Sequence, residues 1–165
     1  EWKSWTGAFV DESFLIDYLT PDEYFQFVAR ISGTPDEEYQ SFLARFEHFM
    51  AGELMGQNKL IRNLSAGNKQ KVGIVAAMLL RPKVLILDEP FNFLDPSSQS
   101  AIKNLLLEYN RETGATILVS SHNLQHTVDI SPRIALLENG VIIRDIDNAD
   151  GKAQEELENY FKITD

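Results

Sequence analysis

The feature that most constrains the fold is a short apolar run that ends in two carboxylates. Val84 to Leu87 contains no polar residue and is followed at once by Asp88-Glu89-Pro90. Unbroken apolar strands are typical of parallel sheets that are buried on both faces. A second such run, Ala115 to Val119, follows a helix that we expect to begin near Asp95 and to end by Gly114. This alternation of strand, helix and strand predicts a βαβ unit in an α/β fold.

Two near-copies of one helix-start signal precede this unit. Thr20-Pro21-Asp22-Glu23 and Thr34-Pro35-Asp36-Glu37 each have a threonine cap, proline at the first helical position and glutamate three residues after the cap. We expect the first helix to stop at Gly33 and the second to continue to Gly52. A further helix is expected from about Ala66 to Leu80, before Pro82.

The last part of the chain carries a hairpin signal and a final helix. Ile134 to Leu137 and Val141 to Ile146 flank Asn139-Gly140, which favours a tight β-hairpin. We expect one domain in three parts. These are a helical subdomain at about residues 17–80, a core with the hairpin at about 81–149, and a C-terminal helix at 150–165.

Charge and cysteine content exclude several classes of protein. The chain has 15 lysine and arginine residues against 25 aspartates and glutamates, which gives a net charge of −10. An acidic surface repels phosphate backbones, so a nucleic-acid partner is disfavoured. The absence of cysteine removes disulfides, thiolate metal sites and a cysteine nucleophile.

The longest apolar run, Val72 to Leu80, is too short to span a bilayer, so we expect a cytoplasmic protein.

The ends of the two predicted strands carry candidate catalytic residues. In open α/β sheets, ligands bind beyond the carboxyl ends of the strands. Asp88 could hold a metal ion through water there, and Glu89 could position or deprotonate a water, although acidic residues also simply end strands. His122 follows the next strand and could respond to a phosphate, although a lone histidine is more often an ordinary surface residue.

Two further motifs lie at predicted helix starts. Small residues around Ser65, Ala66 and Gly67 leave backbone amides open at a helix start, where the helix dipole favours an anion. Ser65 can equally be an ordinary N-cap. Asp95 followed by proline is fully explained as the cap of the next helix.

In this order and spacing, the motifs resemble those of the ATP-binding cassette (ABC) ATPases. Leu64-Ser65-Ala66-Gly67-Asn68 is similar to the signature loop, usually LSGGQ, and Val84 to Asp88 is similar to the Walker B strand. Glu89 falls at the catalytic glutamate, Leu94-Asp95 at the D-loop and His122 at the switch histidine. The resemblance extends over most of the chain.

The resemblance implies an incomplete P-loop-type parallel sheet with flanking helices plus a small helical subdomain. In the family, two nucleotide-binding domains sandwich ATP head to tail. The resemblance therefore implies that Asp88 holds Mg²⁺ and that Glu89 acts on the attacking water. It also implies that His122 contacts the γ-phosphate and that Asp95 links the two sites. The residues implied to face the partner's nucleotide are Ser65, Ala66, Gly67 and Asn68.

Some positions depart from the family pattern. Ala66 stands where glycine is usual, and Asn68 where glutamine is usual. The Q-loop glutamine is replaced by Asp11 or, alternatively, by Glu12. No G-x-x-x-x-G-K-[ST] loop is present. In the family that loop lies upstream, so we expect that the N-terminal third of the domain has been cut away and that this chain alone is inactive.

The leading functional hypothesis is the C-terminal part of the ATP-binding subunit of an ABC transporter. It implies a second nucleotide-binding domain and a transmembrane permease subunit as partners. It places the protein at the cytoplasmic face of the membrane, held there only through the permease. The alternatives are an ABC ATPase that drives no transport and a catalytically silent interaction module.

Overall fold

The chain builds two separate sheets, one in each of two units that divide between Ser120 and Ser121. The computed structural model describes residues 2–149, 151 and 153–164. The first unit contains β1 (Thr6–Phe9), α1 (Pro21–Ile31), α2 (Asp36–Ala44), α3 (Glu47–Met50), α4 (Ala66–Leu79), β2 (Val84–Asp88), α5 (Pro96–Thr113) and β3 (Thr116–Ser120). The second contains α6 (Leu124–Ile130), β4 (Arg133–Glu138), β5 (Val141–Asp147) and α7 (Ala153–Thr164).

The sheet of the first unit is parallel and has the strand order β1-β2-β3. In its register Ala8 is opposite Ile86, and Ile86 is opposite Leu118. The helix α5 connects the parallel neighbours β2 and β3, which is the predicted βαβ unit. The α/β class with a parallel sheet is therefore confirmed.

The two faces of this sheet differ in burial, which corrects the expectation that both are covered. Phe9, Leu85 and Leu87 lie on one face and are buried. On the opposite face Leu118 is 61% exposed, and Ala8 is exposed too. Successive side chains of a strand point to opposite faces of the sheet, so an apolar run places apolar side chains on both faces. The run does not indicate which face a neighbouring helix covers.

The helix α4 covers the buried face and is enclosed along most of its length. Every residue from Lys71 to Leu79 is buried. Gly73 lies so close to the ring of Phe9 that a Cβ on this glycine would meet ring carbons at 2.1 Å. The N-cap Ser65 and the first helical residue, Ala66, remain exposed. The fold thus anchors α4 on β1 and leaves its N-terminal end open.

Only one of the two repeated helix-start signals forms a capping box. The Thr20 side chain accepts from the backbone N–H of Glu23, and the Glu23 carboxylate accepts from the N–H of Thr20, as expected. The prediction for Thr34 was wrong. Its N–H donates to the Ala29 carbonyl oxygen at 3.0 Å and thereby closes the C-terminus of α1. The next helix begins at Asp36, without a side-chain cap.

The second predicted helix, up to Gly52, is divided into α2 and α3. The break falls at Arg45 and Phe46. Both pieces pack on α4, and α3 packs on α5 as well. Phe46, in the turn between them, and Phe49, on α3, are both fully buried.

The second unit is a hairpin with two helices. β4 and β5 pair antiparallel through Asn139 and Gly140, which have φ values of 48° and 80°, so the hairpin prediction is confirmed. Its core contains Ile134, Ile146 and Leu157. α7 supplies the expected final helix, although residues 150, 152 and 165 of the predicted segment lie outside the described residues. α6 was not predicted, and the three-part division of the domain stays a prediction.

Candidate functional site

The carboxyl ends of β2 and β3 bring a carboxylate and a hydroxyl together. Asp88 and Ser120 are register partners in the parallel pair. The Ser120 hydroxyl donates to Oδ1 of Asp88. Asp88 is exposed, so its carboxylate is fixed in orientation and still accessible to a ligand. The sequence did not predict a role for Ser120, because its partner lies on another strand.

Glu89, the next residue, is half-buried and has a left-handed backbone with φ of +46°. Its N–H donates to the Ser120 carbonyl oxygen at 3.1 Å and to the Ser120 hydroxyl oxygen at 3.2 Å. Its carbonyl oxygen accepts from Nε2 of Gln70 on α4 at 3.0 Å. Both polar groups of its backbone are therefore fixed. The sequence did not predict a role for Gln70, whose partner lies 19 residues away.

The signature-like loop forms the exposed start of a long helix. Ser65 caps α4 by accepting from the N–H of Asn68 at 3.3 Å. Ser65 and Ala66 are exposed, whereas Gly67 and Asn68 are half-buried. The capping role of Ser65 is therefore confirmed. An exposed start of a 14-residue helix also has the geometry that favours an anion.

Gly67 joins this loop to the segment that follows Glu89. A Cβ on Gly67 would lie 2.6 Å from the Phe93 carbonyl oxygen, which leaves no room for a side chain. Phe93 itself has φ of +63° and is 74% exposed. α4 therefore contacts the segment after β2 at two points, through Gln70 and through Gly67.

Asp95 caps α5, as the sequence predicts. Its carboxylate accepts from the N–H groups of Ser97 at 2.9 Å and Ser98 at 3.0 Å, and from the Ser98 hydroxyl at 2.6 Å. These bonds lower the pKa of the Asp95 carboxyl below its usual value, and the bond from the Ser98 hydroxyl has the largest effect. The link from Asp95 to a second ATP site stays a prediction.

The two candidates for the Q-loop position have different surroundings. Asp11 caps a short 3₁₀ turn, Glu12–Phe14, and accepts from the N–H of Ser13 at 2.8 Å. Hydrogen bonds from Ser13 lower the pKa of the Asp11 carboxyl. Glu12 instead pairs with Lys69 on α4, with 3.4 Å between Nζ and Oε2. Of the two, Glu12 is the residue that contacts α4, the helix that begins with the signature-like loop.

His122 is exposed and lies in the second unit, two residues after the end of β3. The adjacent Ser121 accepts from the N–H of Asn123 at 3.1 Å, which leads the chain into α6. The contact of His122 with a phosphate stays a prediction.

The exposed carboxylate of Asp88 suits a magnesium site. Within residues 2–149, 151 and 153–164, no three histidine, aspartate or glutamate side chains gather into a metal cluster. Mg²⁺ usually keeps several waters and binds through one or two carboxylates plus substrate phosphates. The accessible oxygen atoms of Asp88 fit that mode of binding.

No helix in the described part of the chain is long and apolar enough to cross a membrane.

Comparison with known proteins shows the family of this chain. A family model described as "AAA domain, putative AbiEii toxin, Type IV TA system" matches residues 8–129. The methionine import ATP-binding protein MetN of Carboxydothermus hydrogenoformans is 33% identical over 131 residues, which are 79% of this chain and 39% of that protein. The chain thus spans about two fifths of that relative's length.

Solved structures show the same fold. The ATP-binding subunit of an ABC transporter superposes with a TM-score of 0.77 at 29% identity, over 97% of this chain and 66% of the other. The dimeric bacterial ABC transporter cassette MJ0796 superposes with a TM-score of 0.73 at 26% identity, over 87% of this chain and 62% of that one. The chain therefore belongs to this AAA-domain family, and the proteins and structures that it is similar to are ATP-binding proteins of ABC transporters.

Proposed function

We propose that the full-length protein carrying this chain is the ATP-binding subunit of an ABC transporter, in which ATP binding and hydrolysis drive membrane transport. The observation that carries the proposal is the pair Asp88 and Glu89 at the carboxyl end of β2, with Ser120 holding both residues. Family membership supports the reaction class. The name of the methionine-import relative supports a link to transport.

In the proposed reaction, Glu89 positions the water that attacks the γ-phosphate and takes up its proton. Phosphoryl transfer depends mainly on positioning and on charge stabilisation, and the doubly held backbone of Glu89 suits this task. Asp88 would hold Mg²⁺ through water, and the ion would neutralise charge on the phosphates. His122 would contact the γ-phosphate.

A second nucleotide-binding domain is the proposed partner at the signature-like loop. The exposed start of α4 would then face the γ-phosphate held by that domain, with contacts from Ser65 and from the backbone at Gly67. Two features support this: the exposure of Ser65 and Ala66, and the attraction of an anion to a helix N-terminus. A solved relative with this fold is a dimer. Asp95, at the start of α5, would contribute to the contact between the domains.

A transmembrane permease is the second proposed partner, and it would hold the protein at the cytoplasmic face of the membrane. The helix α1 supplies a candidate docking surface. Phe27 and Ile31 lie one helical turn apart and are 44% and 66% exposed, whereas Phe25 on the same helix is fully buried. Exposed aromatic side chains are common anchors of protein interfaces.

The test is phosphate release from ATP by the full-length protein, with and without Mg²⁺. We expect hydrolysis that requires Mg²⁺ and falls about tenfold or more in Asp88→Asn, because a neutral amide holds the ion less well. Glu108→Gln is the matched control, since Glu108 is an exposed carboxylate on α5. A wild-type protein without Mg²⁺-dependent hydrolysis, or equal rates in Asp88→Asn and wild type, would contradict the proposal.

A further inference from the structure

The backbone of Glu89 lies in a region that non-glycine residues seldom occupy. Its φ of +46° is in the left-handed range, which is uncommon for residues other than glycine. Such a conformation persists only where surrounding contacts hold it. The contacts that hold Glu89 therefore decide where its carboxylate is placed.

Those contacts come from two sides. On one side, Ser120 receives the Glu89 N–H through its carbonyl and hydroxyl oxygen atoms, at 3.1 and 3.2 Å. On the other side, the Glu89 carbonyl oxygen accepts from Nε2 of Gln70 at 3.0 Å and from the N–H of Asn92, in the turn after β2, at 3.1 Å. Ser120 belongs to the sheet, whereas Gln70 belongs to the helix that begins with the signature-like loop.

We propose that Gln70 is a positioning residue that fixes the backbone of Glu89 and ties it to the start of α4. The inference rests on the proposed function, in which Glu89 acts on the attacking water. Gln70 lies five residues after Ser65 in the same helix. A displacement of this helix start on nucleotide binding would therefore pull on the Glu89 carbonyl through a single hydrogen bond.

The chemistry of the glutamine side chain fits this role. An amide offers N–H donors, and Nε2 of Gln70 gives the Glu89 carbonyl oxygen a second donor, from α4, beside the local N–H of Asn92. Lys69 and Lys71, on either side, point to other partners, Glu12 at 3.4 Å and Glu53 at 3.9 Å. The neighbouring cations thus pair with other residues, and Gln70 supplies the hydrogen bond from α4 to the Glu89 carbonyl oxygen.

The test compares Gln70→Met with Asn110→Leu in the full-length protein. Methionine keeps the length of the side chain and its helix propensity but removes the donor. Asn110 donates its amide to the Ala115 carbonyl oxygen at 2.8 Å, at the C-terminal end of α5. Asn110→Leu therefore removes a comparable side chain-to-backbone bond from a site away from the carboxylates.

Two readouts separate positioning from general destabilisation. The first is hydrogen exchange of the Glu89 amide, which reports local opening. The second is the pair kcat and KM for Mg-ATP. For Gln70→Met we expect the Glu89 amide to exchange about tenfold faster than in Asn110→Leu. We also expect kcat to fall about tenfold or more while KM stays within about threefold of wild type.

Either of two results would overturn the role of Gln70. One is an exchange rate of the Glu89 amide that Gln70→Met leaves unchanged. The other is a kcat that falls equally in Gln70→Met and Asn110→Leu, or in neither of them. A wild-type protein that hydrolyses no ATP would instead contradict the proposed function, and the exchange of Glu89 would still decide whether Gln70 holds its backbone.

Discussion

Gly67 packs against the carbonyl oxygen of Phe93 so closely that a Cβ on residue 67 would lie 2.6 Å from that oxygen. The contact joins the first turn of α4 to the segment between β2 and α5. Packing within this chain therefore demands glycine at position 67, independently of any phosphate that the helix start binds. Ala66, whose side chain is exposed, is under no such demand.

Gly67→Ala should destabilise the protein despite the higher helix propensity of alanine. The added methyl group meets backbone, which cannot move aside as a flexible side chain can. Overpacking of this kind costs about 1–3 kcal/mol, measured as the free energy of unfolding in urea. Asn68→Ala, at the next position of the same helix turn, is the control. A Gly67→Ala protein as stable as wild type would refute the close contact.

Thr20→Ala and Thr34→Ala form a matched pair from the repeated helix-start signal. Thr20→Ala removes the side-chain acceptor of a capping box and should lower the free energy of unfolding by about 0.5–2 kcal/mol. Thr34→Ala removes only a hydroxyl contact with Ser32, so its effect should stay within about 0.5 kcal/mol of wild type. Equal losses in the two variants would argue against the assignment of their roles.

The two threonines also show what a sequence can and cannot predict. The local signals at Thr20, at Asn139-Gly140 and at Asp95 were correct, because their own residues supply the geometry that each signal needs. Thr34 failed since its N–H already completes the end of α1. Thr34 therefore belongs to the C-terminal end of α1, and α2 begins two residues later without a side-chain cap.

The contacts within the candidate site join residues that are far apart in the sequence, so no local sequence pattern predicts them. The Ser120 hydroxyl meets Asp88 across 32 residues, and Gln70 meets Glu89 across 19. The candidate carboxylates Asp88 and Glu89 were predicted from motif order, whereas the residues that hold them became visible only in the fold. The open face with Leu118 was missed for a similar reason, because apolar side chains on a strand do not indicate what covers them.

Ser120→Ala should impair hydrolysis more than it impairs stability. It removes the donor to the Asp88 carboxylate and one of two acceptors for the Glu89 N–H. We expect about 0.5–1.5 kcal/mol less stability and at least about a tenfold lower kcat for Mg-ATP. Thr116→Ala, an exposed position on the same face of β3, is the control, and its kcat should match wild type. A wild-type kcat in Ser120→Ala would remove this hydroxyl from the site.

The cap at Asp95 should give the protein a defined sensitivity to acid. Hydrogen bonds from Ser98 lower the pKa of the Asp95 carboxyl from an ordinary value of 3.8. Its contribution to stability is therefore present above about pH 4 and is lost as the pH falls through the lower folded pKa. Asp95→Asn keeps a capping oxygen but should lose this part of the acid dependence. Unfolding free energies followed from pH 6 down to about pH 2 would test it, and parallel curves for the two proteins would contradict it.

The central claim is that Glu89 acts on the attacking water, and the chemical state of bound nucleotide tests it most directly. Full-length wild type and Glu89→Gln are each loaded with Mg-ATP, separated from free nucleotide, and assayed over time for ATP and ADP. Glutamine keeps the shape of the side chain but cannot accept the proton of the water. We predict that Glu89→Gln binds ATP as tightly as wild type and retains it uncleaved, with conversion slowed at least about a hundredfold. Conversion by Glu89→Gln within about threefold of wild type would contradict the account.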